Sequence, residues 1–131
     1  MNADPILRLW FTAPDERYTM NKRYHWAVRA RLTKVWRTAG MVAARNAKLE
    51  GGINDHLRPC LVRVTFGVPD RRRRDPHNTA PTVKAIVDGM VDAGLWPDDT
   101  PDQVAIVDPV FAKGDDSVIV ECWPMNVEMV A

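Results

Sequence analysis

The chain has 131 residues, 46 % of them hydrophobic and 27 % charged, which is the composition of one ordinary globular domain spanning residues 1–131. No run of about eighteen apolar residues is present, so no membrane partner is expected, and the formal net charge of +1 points by itself to no polyanion. The opening "MNADPILRLWF" has an acid where a signal peptide would carry a basic region, and Arg8 interrupts its apolar stretch. The expected location is cytoplasmic, where Cys60 and Cys122, each inside an apolar run, would be buried reduced thiols.

The charge is unevenly spread. Up to Phe66 there are twelve Lys/Arg against five Asp/Glu, and beyond it six against twelve. A cationic half meets an anionic half at the run Arg71-Arg72-Arg73-Arg74. Cations that hold phosphates beside acids that hold a metal are what a metal-dependent nuclease needs, although two solvated faces would give the same tally.

Taken in chain order, "ILRLWF" at Ile6–Phe11 is predicted to be a strand. A polar loop follows, carrying Arg17, Lys22, Arg23 and His25 among Tyr18 and Tyr24. From Trp26 to Leu49 there is no proline, and Val28, Leu32, Val35 and Trp36 mark the apolar stripe of a helix that Gly51-Gly52 ends. "CLVRVTF" from Cys60 alternates like a strand with Val62, Val64 and Phe66 on one face. Thr79 is the expected cap of a second helix, whose Val83, Ile86, Val87 and Met90 face a sheet. Gly94 should end it, with Leu95 and Trp96 returning to the core. Strands over Val104–Phe111 and Ser117–Trp123, joined by the turn residues "KGDD", complete the order β-α-β-α-β-β. The expectation is an α+β domain with a single-layer mixed sheet and two helices.

The residues that carry chemistry lie beside these elements. Asp75 follows a strand directly, with His77 and Asn78 next to it, and Asp98 and Asp99 follow the second helix. To bring the two groups together, the chain beyond Trp96 must run back along the sheet edge. Magnesium favours hard oxygen ligands and takes few carboxylates, so such a convergence would make a site. Lys84 and Asp88, four residues apart, share a helical face as an ion pair, or Lys84 reaches toward a phosphate. Arg71 to Arg74 read either as a solvated loop or as forked donors to phosphate oxygens. His77 reads equally as a loop histidine or a metal ligand. Lys22 and Arg23, near Tyr24 and Trp26, are candidates to grip DNA or stack on unpaired bases. Trp36 and Trp96 read as core.

"PDRRRRD", then Asn78, then "KAIVDGMVDAGLWPDD" resembles the RusA family of Holliday junction resolvases over Val68–Asp99, about a quarter of the chain. The resemblance implies a RusA-like fold and a magnesium-dependent homodimeric endonuclease that nicks opposed strands of four-way DNA junctions, in recombination and repair, often phage-borne. It implies catalytic roles for Asp75, Lys84 and Asp99, metal ligation by Asp75 and Asp99 with Asp98 and His77, and phosphate contacts from Arg71, Arg72, Arg73 and Arg74; the loop residues Lys22 and Arg23 remain candidate DNA contacts or a mobile loop on their own reading. Two departures stand out. His77 replaces the family's second acid, which would favour Mn²⁺ over Mg²⁺, and the Asp75-to-Lys84 interval is three residues longer than the family's pattern. The alternatives are a catalytically impaired protein that binds branched DNA, and a phage structural protein whose acids and arginines pair across an interface.

Overall fold

The computed structural model describes residues 3–125, a mixed α+β arrangement of two helices and a five-stranded mixed sheet. Strand β1 is Leu7–Thr12, helix α1 is Trp26–Gly51, and strand β2 is Cys60–Val68. A 3-10 turn at Pro76–Thr79 leads into helix α2, Ala80–Asp92. Strands β3 (Val104–Ile106), β4 (Val110–Lys113) and β5 (Ser117–Pro124) follow. β5 lies between β1 and β2, antiparallel to both, while β3 and β4 both run parallel to β2 on its other side. Among the described residues, no helix is long and apolar enough to cross a membrane.

The alternation along β2 buries Cys60, Val62, Val64, Phe66 and Val68 on one face, joined by Val118, Val120 and Cys122 of β5 and Leu9 of β1. The helices cover that face with Leu32, Trp36 and Ala44 from α1 and Val83, Ile86, Val87 and Met90 from α2, so the helical stripes point where their spacing required. Each large apolar side chain removed from water contributes about 1.5–3 kcal/mol. Both thiols are free and buried, and burial holds each above its ordinary pKa. The other sheet face stays partly open: Trp10, in register with Ile119, is 63 % exposed, and Glu121 stands between Arg8 and Arg63.

Three local features depart from the sequence expectations. The single strand expected over Val104–Phe111 is two strands. Val62 pairs with Ile106 and Thr65 with Val110, so Arg63 and Val64 on β2 face Val107, Asp108 and Pro109. The extra residue, at a proline without an N–H, bulges the ladder and turns Asp108 out of it. The "KGDD" turn also joins strands that are not neighbours, since β4 and β5 flank β2 on opposite sides. Finally, Thr79 does not cap α2 with its side chain; its hydroxyl donates to the Pro76 carbonyl at 2.7 Å. The preceding 3-10 turn already occupies the N–H of Ala80, and Asp75 caps that turn by accepting from the His77 N–H at 3.0 Å.

The helices cross closely. A side-chain carbon on Gly89 would strike the backbone of Arg37 and Met41 in α1, and one on Gly40 would strike the backbone of Ile86 in α2. Backbone cannot move aside cheaply, so Gly89→Ala is expected to lower the unfolding free energy by about 1–3 kcal/mol, read from urea unfolding followed by circular dichroism. An unchanged midpoint would mean that the crossing has slack.

Candidate functional site

The 3-10 turn divides two hollows. Asp75, Asn78 and Thr79 face a cleft of about 320 Å³ that is also lined by Arg17, Thr19, Asn21, Phe111 and three arginines of the run, Arg72, Arg73 and Arg74. Pro76, His77 and Ala80 face a neighbouring hollow of about 300 Å³, shared with Lys84 and Asp108.

The arginines of the run do not act alike. Arg74 is the inward one, its side chain 11 % exposed; Nη1 donates to the carbonyls of Asp70 and Arg72 at 3.2 and 3.0 Å and pairs with the Asp70 carboxylate at 3.0 Å. Asp70 also accepts from the Arg72 N–H at 2.9 Å, and this bond, then Arg74, lowers its pKa. The fourth arginine therefore folds the loop so that Arg71, Arg72 and Arg73 stand exposed. Four adjacent guanidinium groups are tolerable because one is spent internally.

The loop between β1 and α1 is pinned to this region from three sides. Trp36 Nε1 donates to the Glu16 carbonyl at 2.9 Å. Thr82, fully buried in α2, accepts from the Tyr18 N–H and donates to the Tyr18 carbonyl, both at 2.8 Å. Asn78 accepts from the Met20 N–H through its carbonyl at 2.9 Å and from the Asn21 N–H through Oδ1 at 2.8 Å. Asn78 is thus the clasp between the arginine cleft and the loop, and with Arg17 and Thr82 it was not assigned a role by sequence reasoning. A polar Thr inside the apolar stripe of α2 was the only available signal for the last of these. Lys22 and Arg23 sit farther along the loop, beside a separate hollow of about 590 Å³. Lys22 pairs with Glu16 at 3.2 Å and lies 5.2 Å from the Tyr24 ring centre.

Beyond α2, the chain does return toward the start of that helix. The Trp96 indole donates to the Arg58 carbonyl at 3.1 Å and the Leu57 N–H to the Leu95 carbonyl at 2.7 Å, anchoring the segment. Asp99 then reaches the Lys84 ammonium, which also donates to Asp88 Oδ1 at 2.9 Å. Asp98 accepts from the Asp99 N–H at 2.7 Å and so shapes the turn. On the sheet side, the bulge sets Asp108 Oδ1 3.8 Å from His77 Nδ1. The Asp-Pro pair inside an apolar stretch was the overlooked sign of this acid. Asp75 faces the arginines, His77 faces Asp108, and Asp99 shares Lys84 with Asp88. Among the described residues, no three His, Cys, Asp or Glu side chains are gathered closely enough to hold a metal ion together.

Lys84 hydrogen-bonded to Asp88, and next to Asp99, has its pKa raised, while the same ammonium lowers that of Asp99. A depressed acid contributes above its unfolded pKa and loses that contribution as pH falls through the folded value. A raised lysine contributes below its unfolded pKa and loses it as pH rises through the folded value. The Lys84–Asp99 contact therefore contributes across the neutral range, between the ordinary carboxylate and ammonium pKa values. Carbon-detected NMR of the Asp99 carboxyl should show a midpoint below about 3.9, the ordinary aspartate value; a midpoint at or above it would mean that the contact is absent in solution. No family model matches the chain, and no curated protein matches it either.

Proposed function

We propose that this chain is a metal-dependent endodeoxyribonuclease that nicks four-way DNA junctions, as its likeness to the RusA resolvases implies. The observation that carries this reading is the side-by-side arrangement of a cleft rich in arginine that contains Asp75 and a lysine–carboxylate cluster that contains Lys84 and Asp99. Phosphate diesters suit the first and a hard cation suits the second.

The donor set fits magnesium in one respect: the carboxylates of Asp88 and Asp99 already converge on one cation, the Lys84 ammonium. Magnesium takes one or two carboxylates and completes its shell with water and phosphate. Asp99 and Asp88 would hold it at that cluster, with Asp98 as a further donor, whereas Asp75 and His77, which the resemblance also implies as ligands, face the arginines and Asp108; manganese is the alternative that an imidazole ligand favours. When bound, the ion supplies Lewis acidity toward water and the phosphate. The chain's own residues do the rest. Arg71, Arg72 and Arg73 hold the DNA backbone, Lys84 places a positive charge beside the scissile phosphate, and Asn78 keeps the loop of Lys22 and Arg23 in place. A homodimer suits the substrate, because two equivalent sites meet two equivalent strands, and the partly open sheet face bearing Trp10 supports such a pairing.

A specific observation favours the second reading, a protein that binds branched DNA without cutting it. Lys84 neutralises the acids that a metal would need, and the third close ligand is missing among the described residues. One assay separates the two. The purified protein is incubated with a synthetic four-way junction in Mg²⁺, Mn²⁺ or chelator. Paired nicks in either metal and none in chelator are expected; tight binding with no nicks in any condition would replace the nuclease by the binder.

A further inference from the structure

Arg17 is the basic side chain that neither the resemblance nor the arginine run accounts for. It lines the cleft shared by Asp75 and the run, and it is held there from both sides of its own backbone, through Glu16 to Trp36 and through Tyr18 to Thr82. Its guanidinium carbon lies 5.6 Å from the Phe111 ring centre and 5.8 Å from that of Phe66. Both distances are within the range of cation–π attraction, so the group rests on an aromatic floor. Among the described residues it makes no ion pair, and its Nε is buried with no hydrogen-bond partner. A buried charged donor left without an acceptor is costly, and opposite charge near the guanidinium lowers that cost.

The surroundings define the ligand. The cleft sets four arginines against one carboxylate, Asp75, and adds the neutral donors Thr19 and Asn21. Burial, and then the like charges of Arg74 and Arg72, hold Arg17 below its ordinary pKa, with Asp116 pulling the other way. An oxyanion in the cleft would offset that repulsion at the guanidinium, with the solvent-inaccessible Nε reporting on it rather than contacting it. A planar fork with several N–H groups matches the oxygens of a phosphate better than it matches a single carbonyl.

We propose that Arg17, together with Arg72 and Arg73, forms a seat for one phosphate oxyanion beside Asp75. The seat takes a backbone phosphodiester or a terminal phosphate. It rests on the nucleic-acid reading for the source of that phosphate, and on no cleavage step. Arg17 anchors the phosphate next to Asp75, whereas the exposed arginines make the outer, more mobile contacts.

The test uses the full chain in chelator, with the Arg17 Nε–H resonance assigned by its disappearance in Arg17→Lys. Inorganic phosphate, a short DNA duplex and a four-way junction are titrated separately, with sodium chloride at matched ionic strength as the control. Saturable movement with phosphate or with DNA, and none with chloride, is expected. Movement with DNA identifies the phosphodiester as the occupant, and movement with inorganic phosphate alone identifies a terminal or free phosphate. A resonance that ignores both, or follows chloride equally, overturns the seat. In parallel, Arg17→Gln should weaken junction binding about ten- to a hundredfold and reduce the slope of log affinity against log salt by about one. Native affinity and slope in a variant that melts like the native chain would also overturn it. If Arg17→Gln does not fold, the resonance experiment on the native chain decides alone. The two proposals fail separately: phosphate binding at Arg17 without nicking removes only the nuclease, and nicking with a silent Arg17 removes only the seat.

Discussion

Asp75→Asn is expected to reduce nicking of a four-way junction by about a thousandfold or more while leaving binding in chelator unchanged or tighter. The choice of Asn follows from the geometry. Asp75 caps the Pro76–Thr79 turn through an oxygen that accepts from the His77 N–H, and an Asn side-chain oxygen can still accept that bond. The substitution therefore removes the negative charge without releasing the turn. Removing it also takes the one carboxylate out of a cleft of arginines, which is why DNA should bind at least as tightly. Asp75→Ala provides the contrast, since it loses both charge and cap and should cost about 1 kcal/mol of stability as well. The readouts are strand-specific nicking on a denaturing gel and affinity by gel shift. Nicking at the native rate in Asp75→Asn would remove Asp75 from the chemistry, and joint loss of binding and melting temperature would make its role one of folding.

The second large effect is one of stability. Trp36 is fully buried, with its ring edge-on to Phe66 at 6.2 Å and to Phe11 at 6.4 Å, and its indole N–H fixes the Glu16 carbonyl. Trp36→Ala opens a cavity at the junction of α1, β1 and β2 and is expected to cost about 3–5 kcal/mol. Against a typical total of about 5–15 kcal/mol, that leaves a chain close to unfolding at 37 °C. Trp36→Phe keeps the aromatic contacts and leaves the carbonyl of Glu16 without its donor, a smaller cost of about 1–3 kcal/mol. Its further consequence is specific, because the freed carbonyl belongs to the residue before Arg17. Trp36→Phe should thus fold and still bind DNA more weakly than the native chain. Urea unfolding and gel shift check the pair; a loss below about 1 kcal/mol in Trp36→Ala would mean that the core refills the space.

What could be read from the sequence follows the periodicities. The stripe Val83, Ile86, Val87, Met90 and the alternation Val62, Val64, Phe66 specified a helix on a sheet, and those side chains are buried together. The Lys84–Asp88 pair was legible too, because a four-residue spacing on a helix places both groups on one side. A return of Asp98 and Asp99 toward Asp75 was only a requirement, and the meeting of Asp99 with Lys84 was not legible, since a loop's path depends on anchors such as Trp96 on Arg58 that leave no periodic trace. Strand neighbours were illegible for a related reason. The turn "KGDD" permits a hairpin, and only long-range pairing decided that β2 should separate β4 from β5. Asn78 and Thr82 were given no role because their contacts span 57 and 64 residues of sequence, and Arg17 because its aromatic partners Phe66 and Phe111 lie on β2 and β4.

The position of β5 has a consequence for how the protein is made. It is the last of the described strands to be synthesised, and it fills the gap between two of the earliest, β1 and β2. A ribosome that has delivered both helices would still hold a sheet split down its middle, with two unsatisfied strand edges facing each other. Premature termination before Ser117 should therefore yield insoluble fragments, whereas the same helices followed by the closing strand can complete the hydrogen-bonded ladder.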